Sequence, residues 1–169
     1  MFTLPQFIGF KYQYTPLLAN DPYINNVSLL IKTRSNWFNK DNSANNYSFT
    51  INGDTRPSVK NPFSKGSIYF DGNGDFLNFS VQALTGNFTA ECWFYQVANS
   101  VSYAVLFGGS DASGGGVNNT QFYVTNSGGI SWVDNGTVRI SPIGTANKNT
   151  WNHIAFVRNG TNCAIYLNG

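Results

Sequence analysis

Short hydrophobic runs alternate with polar turns along most of the chain, which predicts β-strands rather than helices. β-Branched and aromatic residues recur in these runs, and clusters of Gly, Asn, Asp and Pro separate them. In the clearest run, residues 87–96, Phe88, Cys92 and Phe94 share one face, while Glu91 and Trp93 share the other. Because both faces carry aromatic residues, we expect this strand to lie centrally in its sheet and to be covered on both sides. The predicted strands are 27–32, 47–52, 67–71, 76–81, 87–96, 103–107, 121–125, 129–133, 138–141, 151–158 and 164–167.

Many short strands with regular turns predict an all-β sandwich or barrel in one domain. The composition agrees, since 41% of the 169 residues are hydrophobic and only 11% are charged, the reverse of a disordered chain. The aromatic residues of the segment 1–20, interleaved with Pro and Gly, follow no steady period. This segment is either an arm that packs on its own domain or one that docks on a neighbouring protein. Its docking candidates are Phe2, Phe7, Phe10 and Tyr12.

Charge and segment patterns exclude several partners. The net charge is only +2 and the basic residues are scattered, which argues against nucleic acid. No stretch approaches the roughly 20 apolar residues of a membrane span, and the first residues lack the pattern of a signal peptide, so we expect no Sec export. The two cysteines, Cys92 and Cys163, fall in strand-like runs and are interpreted as buried thiols rather than a disulfide framework.

Four segments taken in order resemble laminin G-like jelly rolls of the concanavalin A-like class: residues 66–77, 87–95, 151–160 and 165–169. Residues 21–30 resemble the opening of such domains in virion proteins of phages, cyanophages among them. The resemblance implies a two-sheet antiparallel jelly-roll sandwich over residues 21–169. Related domains usually continue beyond the strand that matches residues 165–169. We therefore expect the sandwich to be incomplete at its C-terminus, with further residues or a second subunit completing that edge.

Catalysis is not expected. A glycoside hydrolase needs two carboxylates flanking the scissile bond, and the glucanases that share the resembled fold carry three acidic residues on one strand. Here Glu91 is the only glutamate in the chain, and the residues after it lack that motif. The only histidine, His153, offers no Ser–His–Asp triad or histidine-based zinc site, and we expect it to pack or to donate a hydrogen bond.

Calcium is the one cofactor that the pattern admits. Asp111, Asn118 and Asn119 fall where pentraxin-like relatives place a pair of calcium ligands, so the resemblance implies half of such a site. A flexible glycine-rich loop is the simpler interpretation of those residues. The segment 71–75 is also rich in oxygen ligands, but a hairpin turn with Asn-Gly at its tip explains it more simply.

Sugars stack on exposed aromatic rings beside polar side chains, and three aromatic residues near loops are candidates: Trp37, Tyr123 and Trp132. The expected function is that of a non-enzymatic virion structural protein, such as a capsid decoration, head-fibre, tail or tail-fibre component, that contacts host surface glycans. Its expected partners are other virion proteins and further copies of the chain, and its expected location is the virion, assembled in the host cytoplasm. The alternative is a carbohydrate-binding lectin or adhesin module outside a virion.

Overall fold

The computed structural model describes residues 5–9, 22–33, 40–60, 62, 66–79, 84, 86–97, 103–108, 120–134 and 136–169, with the backbone alone for 5–9. Within these ranges the only helical element is a 3-10 turn, Ile24–Asn26, and no helix there has the length and apolarity to cross a bilayer. The strands are β1 Pro5–Gly9, β2 Phe49–Asn52, β3 Arg56–Ser58, β4 Ser67–Asp71, β5 Phe76–Phe79, β6 Phe88–Gln96, β7 Tyr103–Gly108, β8 Gln121–Thr125, β9 Ile130–Asp134, β10 Thr137–Ile143, β11 Trp151–Asn159 and β12 Asn162–Leu167.

The strands form antiparallel sheets that enclose one core. A six-stranded sheet has the order β12-β11-β6-β1-β4-β3, a four-stranded sheet has the order β10-β9-β8-β7, and β2 pairs with β5. Side chains of the two larger sheets meet between them. The ring of Phe122 lies 4.3 Å from that of Phe156, and the ring of Phe88 lies 5.5 Å from that of Trp132, centroid to centroid. This packing of sheet on sheet confirms the predicted all-β antiparallel sandwich.

All but one of the predicted strands are present, with bounds that shift by a few residues at most. The exception is 27–32, which is irregular apart from one bridge between Ile31 and Asp41. The Ile31 side chain is buried in the core, so the hydrophobic signal was correct for burial. However, the Leu30 N–H donates to the Asp41 carboxylate at 2.8 Å, and this side chain takes the place of a ladder partner.

The strand β1 was not predicted and lies inside the six-stranded sheet. Its register places Phe7 between Tyr69 of β4 and Tyr95 of β6. The structure therefore places the backbone of residues 5–9 within the six-stranded sheet. The side chain of Phe7 and the other docking candidates, Phe2, Phe10 and Tyr12, lie outside the described residues.

The strand β6 is interior to its sheet, as predicted. Its core-facing side chains Cys92 and Phe94 are buried, whereas on the other face Trp93 and Tyr95 are half-buried and Glu91 is exposed. The expected cover on both sides is therefore present only in part.

Both cysteines are free thiols, Cys92 buried and Cys163 half-buried elsewhere in the sheet. Burial raises the pKa of Cys92.

Candidate functional site

The sequence-predicted glycan platform separates into buried and accessible parts. Trp132 is only 1% exposed and packs in the core with its ring 5.0 Å from Phe122, so its prediction as an exposed platform is wrong. Alternation along β9 turns this side chain inward. Tyr123 lies on the outer face of the same sheet, half-buried, and its ring is 5.4 Å from that of the 51% exposed Tyr103. Trp37 lies outside the described residues.

A larger group of rings, which the sequence did not single out, lies on the outer face of the six-stranded sheet. The register of β6 and β11 pairs Trp151 with Tyr95, and their ring centroids are 5.6 Å apart. The next outward-facing pair is His153 with Trp93, at 5.2 Å. Directly paired residues of antiparallel strands point to the same side, so these rings form one surface. We call it the aromatic face, defined by Tyr69, Trp93, Tyr95, Trp151 and His153.

Charged groups complete the aromatic face. The Lys60 ammonium nitrogen lies 3.7 Å above the ring of Tyr95, and the Arg56 guanidinium lies 4.4 Å from the centroid of Tyr69. Both are cation–π contacts. At the opposite end, Glu91 Oε2 lies 3.5 Å from His153 Nε2, and the Glu91 side chain is 63% exposed.

This face combines the group types that bind a sugar. Flat rings accept the C–H faces of pyranoses, while a carboxylate and a histidine accept and donate hydrogen bonds to hydroxyls. General acid–base hydrolysis would require a second carboxylate across from Glu91. Along the sheet, Glu91 is paired with Ala155, which is paired in turn with Tyr166, and neither carries one. The rings and polar groups of this face are of the kind that bind a sugar.

The alternation of residues 87–96 already indicated that Trp93 and Tyr95 point away from Phe94. It gave no indication of which side faces solvent, because both sides carry aromatic residues. The partners Trp151 and His153 are distant in sequence, and only the register of β11 on β6 brings them alongside. A signal was therefore present for two of the five residues of the aromatic face.

An acidic cluster lies at a corner of the sandwich. The sequence-predicted calcium ligands Asp111, Asn118 and Asn119 are outside the described residues. Among the described residues, three carboxylates each offer an oxygen within 4.8 Å of the others: Asp54, Asp71 and Asp75. The turn 72–75 joins β4 to β5, which lie in different sheets, so the prediction of a turn is correct and that of a hairpin is wrong.

Asp75 is the buried member of this cluster, with 0% of its surface exposed. Burial raises the pKa of its carboxyl, and the neighbouring charges of Asp71 and Asp54 raise it further, against the lowering effect of the amides of the same two residues. The Asp71 N–H donates to Asp75 Oδ2 at 2.7 Å. Ionisation of the Asp75 carboxyl is therefore less favourable than that of an exposed aspartate.

Comparisons with known proteins bear on the C-terminal part of this arrangement. A family profile described as the concanavalin A-like lectin/glucanases superfamily matches residues 70–169, which is more than half of the chain. The match begins within β4 and includes every strand from β5 to β12. Searches of curated proteins and of solved structures returned no match. The chain therefore belongs to the concanavalin A-like lectin/glucanases superfamily.

Proposed function

We propose that the chain is a non-enzymatic, carbohydrate-binding structural component of a virion, such as a capsid decoration, head-fibre, tail or tail-fibre protein. In this proposal its aromatic face contacts host surface glycans. Its partners are other virion proteins and further copies of itself, and it resides in the virion after assembly in the host cytoplasm. The observation that carries the binding function is the aromatic face, with Trp151 and Trp93 beside Glu91 and His153.

Packing explains why this face favours a ligand. Tyr95 and Trp151 are half-buried on the outer side of a sheet whose inner side already forms the core. The Lys60 ammonium lies over the Tyr95 ring, so the stacking surface that we propose for a sugar is the ring of Trp151. Tyr166, which is 53% exposed, lies on the same side of β12 and extends the surface. A ligand would thus span three strands.

The superfamily contains lectins and glucanases alike, so the fold alone does not distinguish binding from hydrolysis. Support for binding comes from the residues. The chain has one glutamate, and its neighbours across β11 and β12 are Ala155 and Tyr166. The virion location rests on the resemblance to phage jelly rolls, and the alternative module outside a virion would use the same surface.

A glycan array tests the binding function. Labelled protein is expected to bind a defined subset of glycans and to release no reducing ends from them during prolonged incubation. Release of reducing ends would overturn the non-enzymatic assignment, and absence of binding to any glycan would overturn the binding function.

Mass spectrometry of particles purified from the source of the gene tests the location. Recovery of the chain at structural stoichiometry supports the virion component, and its absence from particles supports the separate lectin.

A further inference from the structure

Two turns meet where the chain passes from one sheet to another. Residues 53–55 connect β2, which pairs with β5, to β3, which pairs with β4. Residues 72–75 connect β4 to β5, so both turns lie at the same corner. Asp54 belongs to the first turn, Asp75 ends the second turn, and Asp71 is the last residue of β4. The corner thus gathers three carboxylates from two separate segments, all within 4.8 Å.

Asp75 carries the observation that points to a ligand. Its side chain is 0% exposed, and its Oδ1 has no hydrogen-bond partner among the described residues, although Oδ2 accepts from Asp71 N. A buried carboxylate oxygen without a partner is costly. Oδ1 points at the first turn, because a Cβ added to Gly53 would lie 2.1 Å from it and 3.0 Å from the Gly74 carbonyl oxygen. The backbone of Gly53 therefore lies against Oδ1, and the Gly74 carbonyl oxygen lies on the same side of Gly53.

The charges at this corner do not balance. The Arg56 guanidinium contacts Asp54 Oδ2 at 3.0 Å, with both side chains more than half exposed. Among the described residues, no other cation forms an ion pair with any of the three carboxylates. When all three carboxylates are ionised, two negative charges remain, which is the charge that one divalent cation would neutralise.

We propose that Asp54, Asp71 and Asp75 bind one calcium ion, with the Gly74 carbonyl as a further ligand. All the available donors are oxygens, which suits a hard cation. Calcium accepts six to eight oxygens in irregular geometry, whereas magnesium demands a near-ideal octahedron. Turns from two segments provide the irregular kind of site. The ion would tie the two sheet-crossing turns together, and this role is independent of glycan binding.

Calorimetric titration of calcium chloride into chelator-stripped protein, together with thermal unfolding, tests the proposal. One ion per chain is expected, and the unfolding midpoint should rise by about 5 °C or more at a concentration roughly a hundredfold above Kd. Magnesium chloride should bind at least about tenfold more weakly. Equal affinity for the two ions would overturn the choice of calcium, and absence of both heat and shift would overturn the site.

Variants locate the ion. Asp75→Asn is the direct test. Because this residue is buried, Asp54→Asn serves as a second variant that leaves the core unchanged. Each should lose calcium affinity by about tenfold or more, whereas Asp134→Asn, whose carboxylate pairs with Arg139, should keep the wild-type affinity. Wild-type affinity in both cluster variants, or loss confined to Asp111→Asn, would place the ion elsewhere and refute the proposal.

Discussion

The two buried carboxylates Asp41 and Asp75 should respond oppositely to the same substitution. Both are 0% exposed. Asp41 accepts four hydrogen bonds: Leu30 N and Ser43 N donate to Oδ1, each at 2.8 Å, while Ser43 Oγ at 2.7 Å and Tyr47 N at 3.0 Å donate to Oδ2. Asp75 Oδ2 accepts from Asp71 N, whereas Oδ1 has no hydrogen-bond partner among the described residues. Asparagine is nearly isosteric at both positions, so the substitution changes charge and hydrogen bonding rather than volume.

The magnitudes follow from those bonds. In Asp41→Asn the amide nitrogen must face at least one backbone N–H, so at least one bond to a charged acceptor, worth roughly 1.5–3 kcal/mol, is lost, and the bonds that remain weaken because their acceptor is neutral. We expect a loss of about 3 kcal/mol or more in the free energy of unfolding. In Asp75→Asn without calcium, the amide oxygen can still accept from Asp71 N, and the uncompensated charge disappears. The expected change is within about 1 kcal/mol of zero, toward greater stability.

Urea unfolding at pH 7 in a chelator, followed by tryptophan fluorescence, measures both changes. Equal slopes of free energy against urea would show that the variants unfold the same structure. A loss in Asp75→Asn as large as that in Asp41→Asn would refute the view that Asp75 lacks a partner. A loss below about 1 kcal/mol in Asp41→Asn would refute the view that the four hydrogen bonds to Asp41 stabilise the fold.

The same pair predicts opposite effects of pH. Burial alone would raise the pKa of Asp41, but bonds from Ser43, Leu30 and Tyr47 outweigh it and hold the pKa below the ordinary value of 3.8. Its stabilisation is therefore present above that value and is lost as pH falls through the lowered pKa. The pKa of Asp75 is raised by burial, so its contribution is present below 3.8 and is lost as pH rises toward the raised pKa. The loss of unfolding free energy at acid pH should therefore be smaller in Asp41→Asn than in the wild type.

Three further predictions concern the core, the thiols and β1. Phe122→Ala should lower the free energy of unfolding by about 3–5 kcal/mol in urea, because the ring is fully buried; a loss under about 1 kcal/mol would contradict the core assignment. A thiol reagent should modify Cys163 in the folded protein and reach the buried Cys92 only in urea, and modification of both in the folded protein would contradict the burial of Cys92. Deletion of residues 1–9 should abolish cooperative unfolding seen by circular dichroism, because β1 lies between β4 and β6; an unchanged midpoint would contradict that placement.

Local patterns were sufficient where alternate side chains of a strand enter the core. The predicted bounds of β4 and β8 coincide with the observed ones, and the alternation of residues 87–96 correctly separated Phe94 from Trp93. In these strands the period of two directly reflects which side chains enter the core.

Strands defined by distant partners were missed. β1 is bounded by Pro5 and Gly9, residue types that usually interrupt strands, and its partners β4 and β6 lie far along the chain. β3 has three residues, one of them Pro57, so it carries almost no periodic signal. Conversely, the apolar run 27–32 predicted a strand, but the carboxylate of Asp41 provides the bond that a neighbouring strand would have made.

The candidate sites depended even more on tertiary placement. Trp132 and Trp151 are both tryptophans near turns in the sequence, yet sheet packing buries the first and leaves the second on the outer face. Asp54 is remote from Asp71 along the chain, and the two approach only because both turns cross between sheets at one corner. No local pattern contains that information.

The most direct test of the central claim, that the aromatic face binds glycans, is the affinity of Trp151→Ala for the glycan bound most strongly by the wild type. Loss of this ring should weaken binding by about tenfold, equivalent to about 1.4 kcal/mol. The matched control Tyr103→Ala removes an exposed ring from the outer face of the opposite sheet and should leave the affinity unchanged. Wild-type affinity in Trp151→Ala together with a loss in Tyr103→Ala would contradict the claim and assign the site to the four-stranded sheet.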